Sequence, residues 1–274
     1  MIQFHDMKKH ILSILVLLFC SLSILAQNQD EVMYSMYRYH PIKIIKELGV
    51  DSVYIRTFKE DTSFLSSIIT YDTLGRETKF IDVEYGFEYR MDYYPTGLLK
   101  TSRIIDYDHG AGPVDSFVYN KKGKMTQSFN GINGEYTFRT YKYKKGKLIE
   151  ENGDGFKYKY TYKKGRRITN EIHSKKGKAL KSYKSYEYNK AGNLYKIFEN
   201  DNKKWLNFQL FYNPQNLLTQ MKVYGKGLKL AQQYTTVYFD NGLINHKVWQ
   251  TGIKNNDPSN CDYQKNVYTY SYRK

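Results

Sequence analysis

The stretch Phe156-Lys157-Tyr158-Lys159-Tyr160-Thr161-Tyr162 decides the fold: an aromatic residue stands at every second position, with Lys or Thr between. A strand sends successive side chains to opposite faces, so this segment carries one aromatic face and one cationic face. The same alternation runs through residues 136–194. It is interrupted at short intervals by Lys-Lys-Gly, as at Lys144-Lys145-Gly146 and Lys163-Lys164-Gly165, or by Ala191-Gly192.

Working outward, the same form recurs along most of the chain. An aromatic residue is followed three or four places later by Gly, and a new β run begins at once. The pairs are Tyr71 with Gly75, Tyr93 with Gly97, Tyr119 with Gly123, Tyr143 with Gly146, Tyr162 with Gly165, Tyr188 with Gly192, Tyr224 with Gly227 and Tyr238 with Gly242. His173 with Gly177 and Tyr212 with Asn216 are variants. A hairpin loop of three to five residues commonly needs one position at positive φ, where Gly has no Cβ to clash and Asn is the best-tolerated substitute. Second polar breaks lie between these turns, among them Asn152-Gly153-Asp154-Gly155 and Asn255-Asn256-Asp257-Pro258. Such spacing predicts an all-β antiparallel meander of repeated hairpins, with roughly 16 to 20 strands. The richness in Tyr, 29 residues against only 5 Pro, agrees with this, because Tyr favours strands.

The segment Ile69-Thr70-Tyr71-Asp72-Thr73-Leu74-Gly75-Arg76 resembles the Tyr-Asp-x-x-Gly-Arg consensus of the YD repeat of bacterial RHS proteins and teneurins. Tyr188-Asn189-Lys190-Ala191-Gly192 and Tyr119-Asn120-Lys121-Lys122-Gly123 look like degenerate copies, and the similarity spans residues 71–242. The resemblance implies an extracytoplasmic sheet that spirals, here an open or curled one. Long relatives build a shell around a toxin. This chain is too short for that shell and shows no toxin domain after Gly242, so encapsulation is not carried over.

Residues 1–26 read as a secretory signal: Lys8, Lys9 and His10 precede an apolar run over 11–25 that ends at Ala26. No later stretch is apolar enough to span a membrane as a helix. Residues 27–60 form a lead-in holding the one expected helix and a first strand. Pro41 suits the first helical position, Ile42, Ile45 and Leu48 give an apolar stripe, and Gly49 suits a left-handed stop. The repeat domain then occupies 61–274. Without the signal, Cys261 is the only cysteine, so packing and strand pairing must hold the fold.

The formal net charge is +16, and it is unevenly placed. Residues 30–115 hold 10 basic and 15 acidic side chains, whereas residues 139–190 hold 17 and 5. A basic patch attracts polyanions and is screened by salt. In an exported chain this points to an acidic polysaccharide, another envelope component or a protein partner, and away from nucleic acid. The expected function is a non-enzymatic binding module of the envelope or surface, its ligand contacts being Tyr141, Tyr143, Tyr158, Tyr160, Lys157, Lys159, Arg166 and Arg167. Aromatic rings stack on sugars and Arg grips acidic groups bidentately. The alternative is a structural scaffold in which the Tyr face is core. Burial of the tyrosines at 141–162 separates the two.

Little in the sequence supports chemistry. The histidines at 40, 109, 173 and 246 are scattered, and no His-Glu-x-x-His, P-loop, Gly-x-Ser-x-Gly or dinucleotide fingerprint occurs, so neither a cofactor nor a metal is expected. Asp106, Asp108 and His109 read as a polar hairpin loop. An outer-membrane barrel would need an apolar outer band, and the non-aromatic face here is Lys, Thr, Ser and Glu.

Overall fold

The computed structural model describes residues 42–273 apart from 133, 134, 154, 175–178, 202, 226, 227, 255 and 260. The expected signal at 1–26, its cleavage point, and His40 and Pro41 lie outside the described residues.

Helix α1 (Ile42–Glu47) ends where Gly49 takes φ +62° and donates its N–H to the Lys46 carbonyl. Of the expected stripe only Ile45 is buried; Ile42 and Leu48 are exposed. Ile44 packs on the core instead, because the helix lies across the turns of the sheet rather than along a strand. Gly75 makes that approach possible. A Cβ there would sit 2.8 Å from the Ile42 carbonyl oxygen.

Eighteen strands follow in unbroken order. They are β1 (Val50–Lys59), β2 (Thr62–Tyr71), β3 (Glu77–Asp82), β4 (Phe87–Tyr93), β5 (Leu99–Asp106), β6 (Gly110–Tyr119), β7 (Met125–Ile132), β8 (Glu135–Lys144) and β9 (Lys147–Gly153). The second half comprises β10 (Phe156–Lys163), β11 (Arg166–Ser174), β12 (Ala179–Tyr188), β13 (Leu194–Asp201), β14 (Lys203–Tyr212), β15 (Leu218–Tyr224), β16 (Leu230–Tyr238), β17 (Ile244–Thr251) and β18 (Asp262–Tyr272). Each pairs antiparallel with its sequence neighbours, and β1 also pairs with β18. The all-β meander is as expected, but the open or curled sheet is not: the meander closes into an 18-stranded barrel. An even strand number is what lets the last strand meet the first antiparallel. β1, assigned to the lead-in by the division at residue 60, is a full stave of this wall.

Closure has a local cause. Every hairpin that leaves an even-numbered strand has a register shift at the residue pair just before its tyrosine, from Thr70/Tyr71 round to Val237/Tyr238. The extra residue falls in the following strand. In three hairpins it is a Thr, whose hydroxyl donates to the carbonyl opposite: Thr78 to Thr70, Thr126 to Val118 and Thr219 to Phe211. A bulge bends its strand and adds twist, and one repeated at the same place in successive hairpins curls the sheet consistently.

Four of these turns are fixed by an Asp or Asn directly after the tyrosine, Asp72, Asn120, Asn189 and Asn213. Asp72 accepts the N–H groups of Leu74 and Arg76, Asn120 those of Lys122 and Lys124, and Asn213 that of Leu217. A short polar side chain replaces backbone partners that a turn cannot supply. Asn216 takes φ +61° where its counterparts are Gly. Tyr224 and His173, grouped with the repeat from sequence, close odd-numbered strands and belong to the opposite end of the barrel.

All nine even-numbered strands therefore carry an inward tyrosine at the helix-side rim: Tyr71, Tyr93, Tyr119, Tyr143, Tyr162, Tyr188, Tyr212, Tyr238 and Tyr270. Their strands splay from the preceding ones near this rim, and the phenol bridges the gap. Tyr93 donates to the Glu77 carbonyl, Tyr188 to Arg167, Tyr212 to Leu194, Tyr238 to Leu218 and Tyr270 to Ile244. Burial pushes the phenols of Tyr143 and Tyr238 up to about 12. Tyr212→Phe removes one such bond while keeping the ring, and it is expected to cost about 0.5–1.5 kcal/mol in urea unfolding. No loss would show that the ring acts through packing alone.

Three apolar clusters line separate arcs of the inner wall. The largest joins α1 to β1–β4, β17 and β18; the second runs along β13–β15, and the third along β6–β9. Each is built from strands adjacent in the ring, and none bridges it. A barrel of this strand number is too wide for its own side chains to fill. The interior is therefore a lined lumen.

Candidate functional site

Register and burial place each of the eight expected contact residues. In the lumen, Tyr141 is buried and its hydroxyl lies 2.9 Å from Ser128 Oγ. Tyr143 belongs to the rim ring. Tyr158 and Tyr160 face inward, in register with Glu151 and Asn170. Arg167 is buried with its guanidinium 4.4 Å from the centre of the Tyr160 ring. Lys157 and Lys159, at the intervening positions, face outward. Arg166 sits at the rim over the Tyr188 ring, at 5.5 Å. That contact repeats: Arg76 covers Tyr93 and Lys147 covers Tyr162 in the same way. The barrel wall thus separates Tyr158 and Tyr160 from Lys157 and Lys159, which the sequence places side by side, while Arg166 and Arg167 stay with tyrosines.

Inside, the tyrosines join a polar belt. Arg139 Nη1 meets Glu151 Oε1 at 3.0 Å, both side chains nearly fully buried, and Tyr160 donates to Glu151 Oε2 at 2.9 Å. Burial, reinforced by the Glu151 charge, drives the Tyr160 phenol well above its ordinary range. Ser102 donates to Asp115, which also accepts the Gly131 N–H. Gly153 lacks a side chain where Arg139 needs the space: a Cβ there would lie 3.1 Å from the Phe138 carbonyl oxygen and closer still to the Arg139 stem. A low-dielectric interior makes such a network strong when satisfied and costly when broken.

Outside, the strip over β8–β10 is cationic. Lys142, Glu150 and Lys159 stand in one row across the three strands. Lys142 pairs with Glu150 at 2.8 Å and Lys157 with the same carboxylate at 3.5 Å. Hydrogen bonds from Lys142 and Asn152, with the nearby Lys157 charge, hold Glu150 down at about 2. Lys159 and Lys163 are exposed with no ion pair among the described residues. Glu171, the other acid on this face, is held by His173 at 3.1 Å. Sequence reasoning found these lysines and set them on the face opposite the tyrosines, but not which of the two faces becomes the inside.

At the end opposite α1, inward side chains stay exposed. Phe156 is 39% and Trp249 38% accessible, although both point into the barrel. Trp249 stands parallel to Tyr234, ring centres 5.7 Å apart and planes 11° off. One row nearer α1 lies Lys247, buried, its ammonium 5.8 Å from the Tyr268 ring and brought down to about 7 by desolvation. The alternation Lys247-Val248-Trp249 in a late strand is the signal that could have found this region. Among the described residues no group of His, Cys, Asp and Glu has metal-site geometry, and no helix is long and apolar enough to cross a membrane.

No protein-family model matches the chain, and no curated protein does. Among solved structures it is similar to a porin-like protein from Bacteroides uniformis, with 13% identity over 81% of this chain and 98% of that one, at a TM-score of 0.47. A porin-like protein from Bacteroides vulgatus gives 12% identity over 82% and 99%, at 0.39. The Tc holotoxin pore of Photorhabdus luminescens gives 14% over 69% of this chain and 13% of that one, at 0.35. None of these likenesses reaches 0.5, and the functional reading rests on the geometry.

Proposed function

We propose that the chain is an exported, non-enzymatic binding protein of the cell envelope whose outer strip over β8–β10 holds an acidic glycan. The observation that carries this reading is the row Lys142, Glu150, Lys159, flanked by Lys157 and Lys163. Lys142, Lys157 and Lys159 stand around Glu150, which the first two already neutralise, with Lys163 further along β10 and Glu171 in register with Lys159 on its other side. Spaced cations on a fixed strand face suit a polymer bearing repeated carboxylate or sulfate groups, whose attraction is screened by salt.

Charge reversal at Arg166 and Arg167 would be a poor test, because one covers a rim tyrosine and the other is buried in the belt. Lys157→Glu with Lys159→Glu acts on the strip alone. Retention on immobilised polygalacturonate is expected to fall as salt rises, and the double variant to bind at least tenfold more weakly, about 1.4 kcal/mol. Retention unchanged by either would sink the reading.

A second reading, a scaffold related to YD-repeat assemblies, is favoured by the rim ring and by the inward placement of the tyrosines at 141–162, which removes Tyr141, Tyr143, Tyr158 and Tyr160 from the outer strip. In the ring the tyrosine, the Asp or Asn after it, the Gly and the basic residue that follows all perform structural tasks. It predicts no retention on any glycan.

A further inference from the structure

We infer that the lumen mouth opposite α1 is a binding site for a neutral saccharide, with Trp249 as its stacking platform. Trp249 faces inward, as its register with Tyr234 and Gln264 requires, yet more than a third of its surface remains accessible. Tyr234 lies parallel to it and fixes the ring's orientation. The inward positions beside it on β17 and β18 are polar, while Met221 and Val223 of β15 lie opposite Tyr234 and Gln232 on the other flank. Gln264 lies beside Trp249 on β18, Gln232 and Thr251 form the row nearer the mouth, and Asn266 the row nearer α1. Several of these amides are already oriented: Tyr234 donates to Gln232 Oε1, and Gln264 donates to Asn266 Oδ1, which also accepts from Thr57.

An aromatic face flanked by amides and hydroxyls matches a pyranose, whose axial C–H groups stack on the ring while its edge hydroxyls meet donors and acceptors. A lipid chain would strand those amides without partners. The accessible charges at the mouth, Lys59 in register with Gln264 and Asp262 with Thr251, are of opposite sign and favour no ionic ligand; Lys247, one row nearer α1, is buried beside Asn266.

This site is independent of the outer strip, and salt separates the two. Cellotetraose, maltotetraose and chitotetraose would each be titrated calorimetrically into the protein at low and high salt. At least one is expected to bind with an affinity insensitive to salt, weakened about tenfold by Trp249→Ala and less by Trp249→Phe. The Lys157→Glu, Lys159→Glu variant should bind it normally. Because both tryptophans of the chain face the lumen, the fluorescence of Trp205 in Trp249→Phe also reports whether the barrel remains folded. Absence of binding by all three sugars, or binding indifferent to Trp249→Ala in a folded barrel, would overturn the inference.

Discussion

Arg139→Met is expected to cost about 3–5 kcal/mol of folding stability, the largest loss from any single change considered, because it leaves the Glu151 carboxylate buried and charged with its main partner gone. The pair is nearly sealed from water, and Glu151 also receives the Tyr160 hydroxyl, so neither side chain can turn out to be solvated. Burying two charges together gains little over burying apolar groups; burying one alone is what costs. The double variant Arg139→Met, Glu151→Leu should therefore recover most of the loss. Urea unfolding of the wild type, the two single variants and the double variant checks both statements. A single variant within about 1 kcal/mol of wild type, or a double no better than the singles, would show that the belt is hydrated rather than dry.

Lys247→Met is expected to stabilise the barrel at neutral and acidic pH, and the gain should vanish in alkali. Desolvation lowers the folded-state value from 10.5 to about 7. Between these two values the unfolded chain binds a proton that the folded one does not, so wild-type stability rises with pH across that window, by at most about 1.4 kcal/mol per unit. Below pH 7 both states are protonated and the full penalty of the buried ammonium remains, offset in part by the Tyr268 ring. The variant lacks this dependence. Its advantage over wild type should thus be several kcal/mol at pH 6.5 and small near pH 10, as read by urea unfolding at the two pH values. An advantage that does not change with pH would mean that the ammonium is solvated through the lumen.

Much of the wall could be read directly. The alternation at 156–162 names which residues share a face, the Gly and Asn216 positions name the turns, and the two together predict the strand number. The helix before β1 was also legible from Pro41, Ile45 and Gly49, although Ile44 rather than Ile42 and Leu48 makes its contacts. The curvature was harder to see. It depends on one extra residue three places after the turn glycine, and only Thr78, Thr126 and Thr219 mark that position with a recognisable side chain. The remaining bulges carry Lys, Ile, Tyr or Asn, which look like ordinary strand residues.

The candidate site was legible in its residue types and not in its geometry. Phe156, Tyr158 and Tyr160 are spaced for one face and Lys157 and Lys159 for the other, and that much follows from the two-residue period of a strand. Which face becomes the inside is a property of closure, because a sheet rolled the other way would present the tyrosines and bury the lysines. Closure also converts Arg167 from a surface cation into a buried partner of Tyr160, through the bulge that turns it inward after Gly165. Local chemistry, written in turn residues and alternation, determines strands and hairpins. The repeated bulges set the direction of curl, and the pairing of β1 with β18, more than 200 residues apart, is the long-range contact that completes it and fixes what lies in the lumen and what faces solvent.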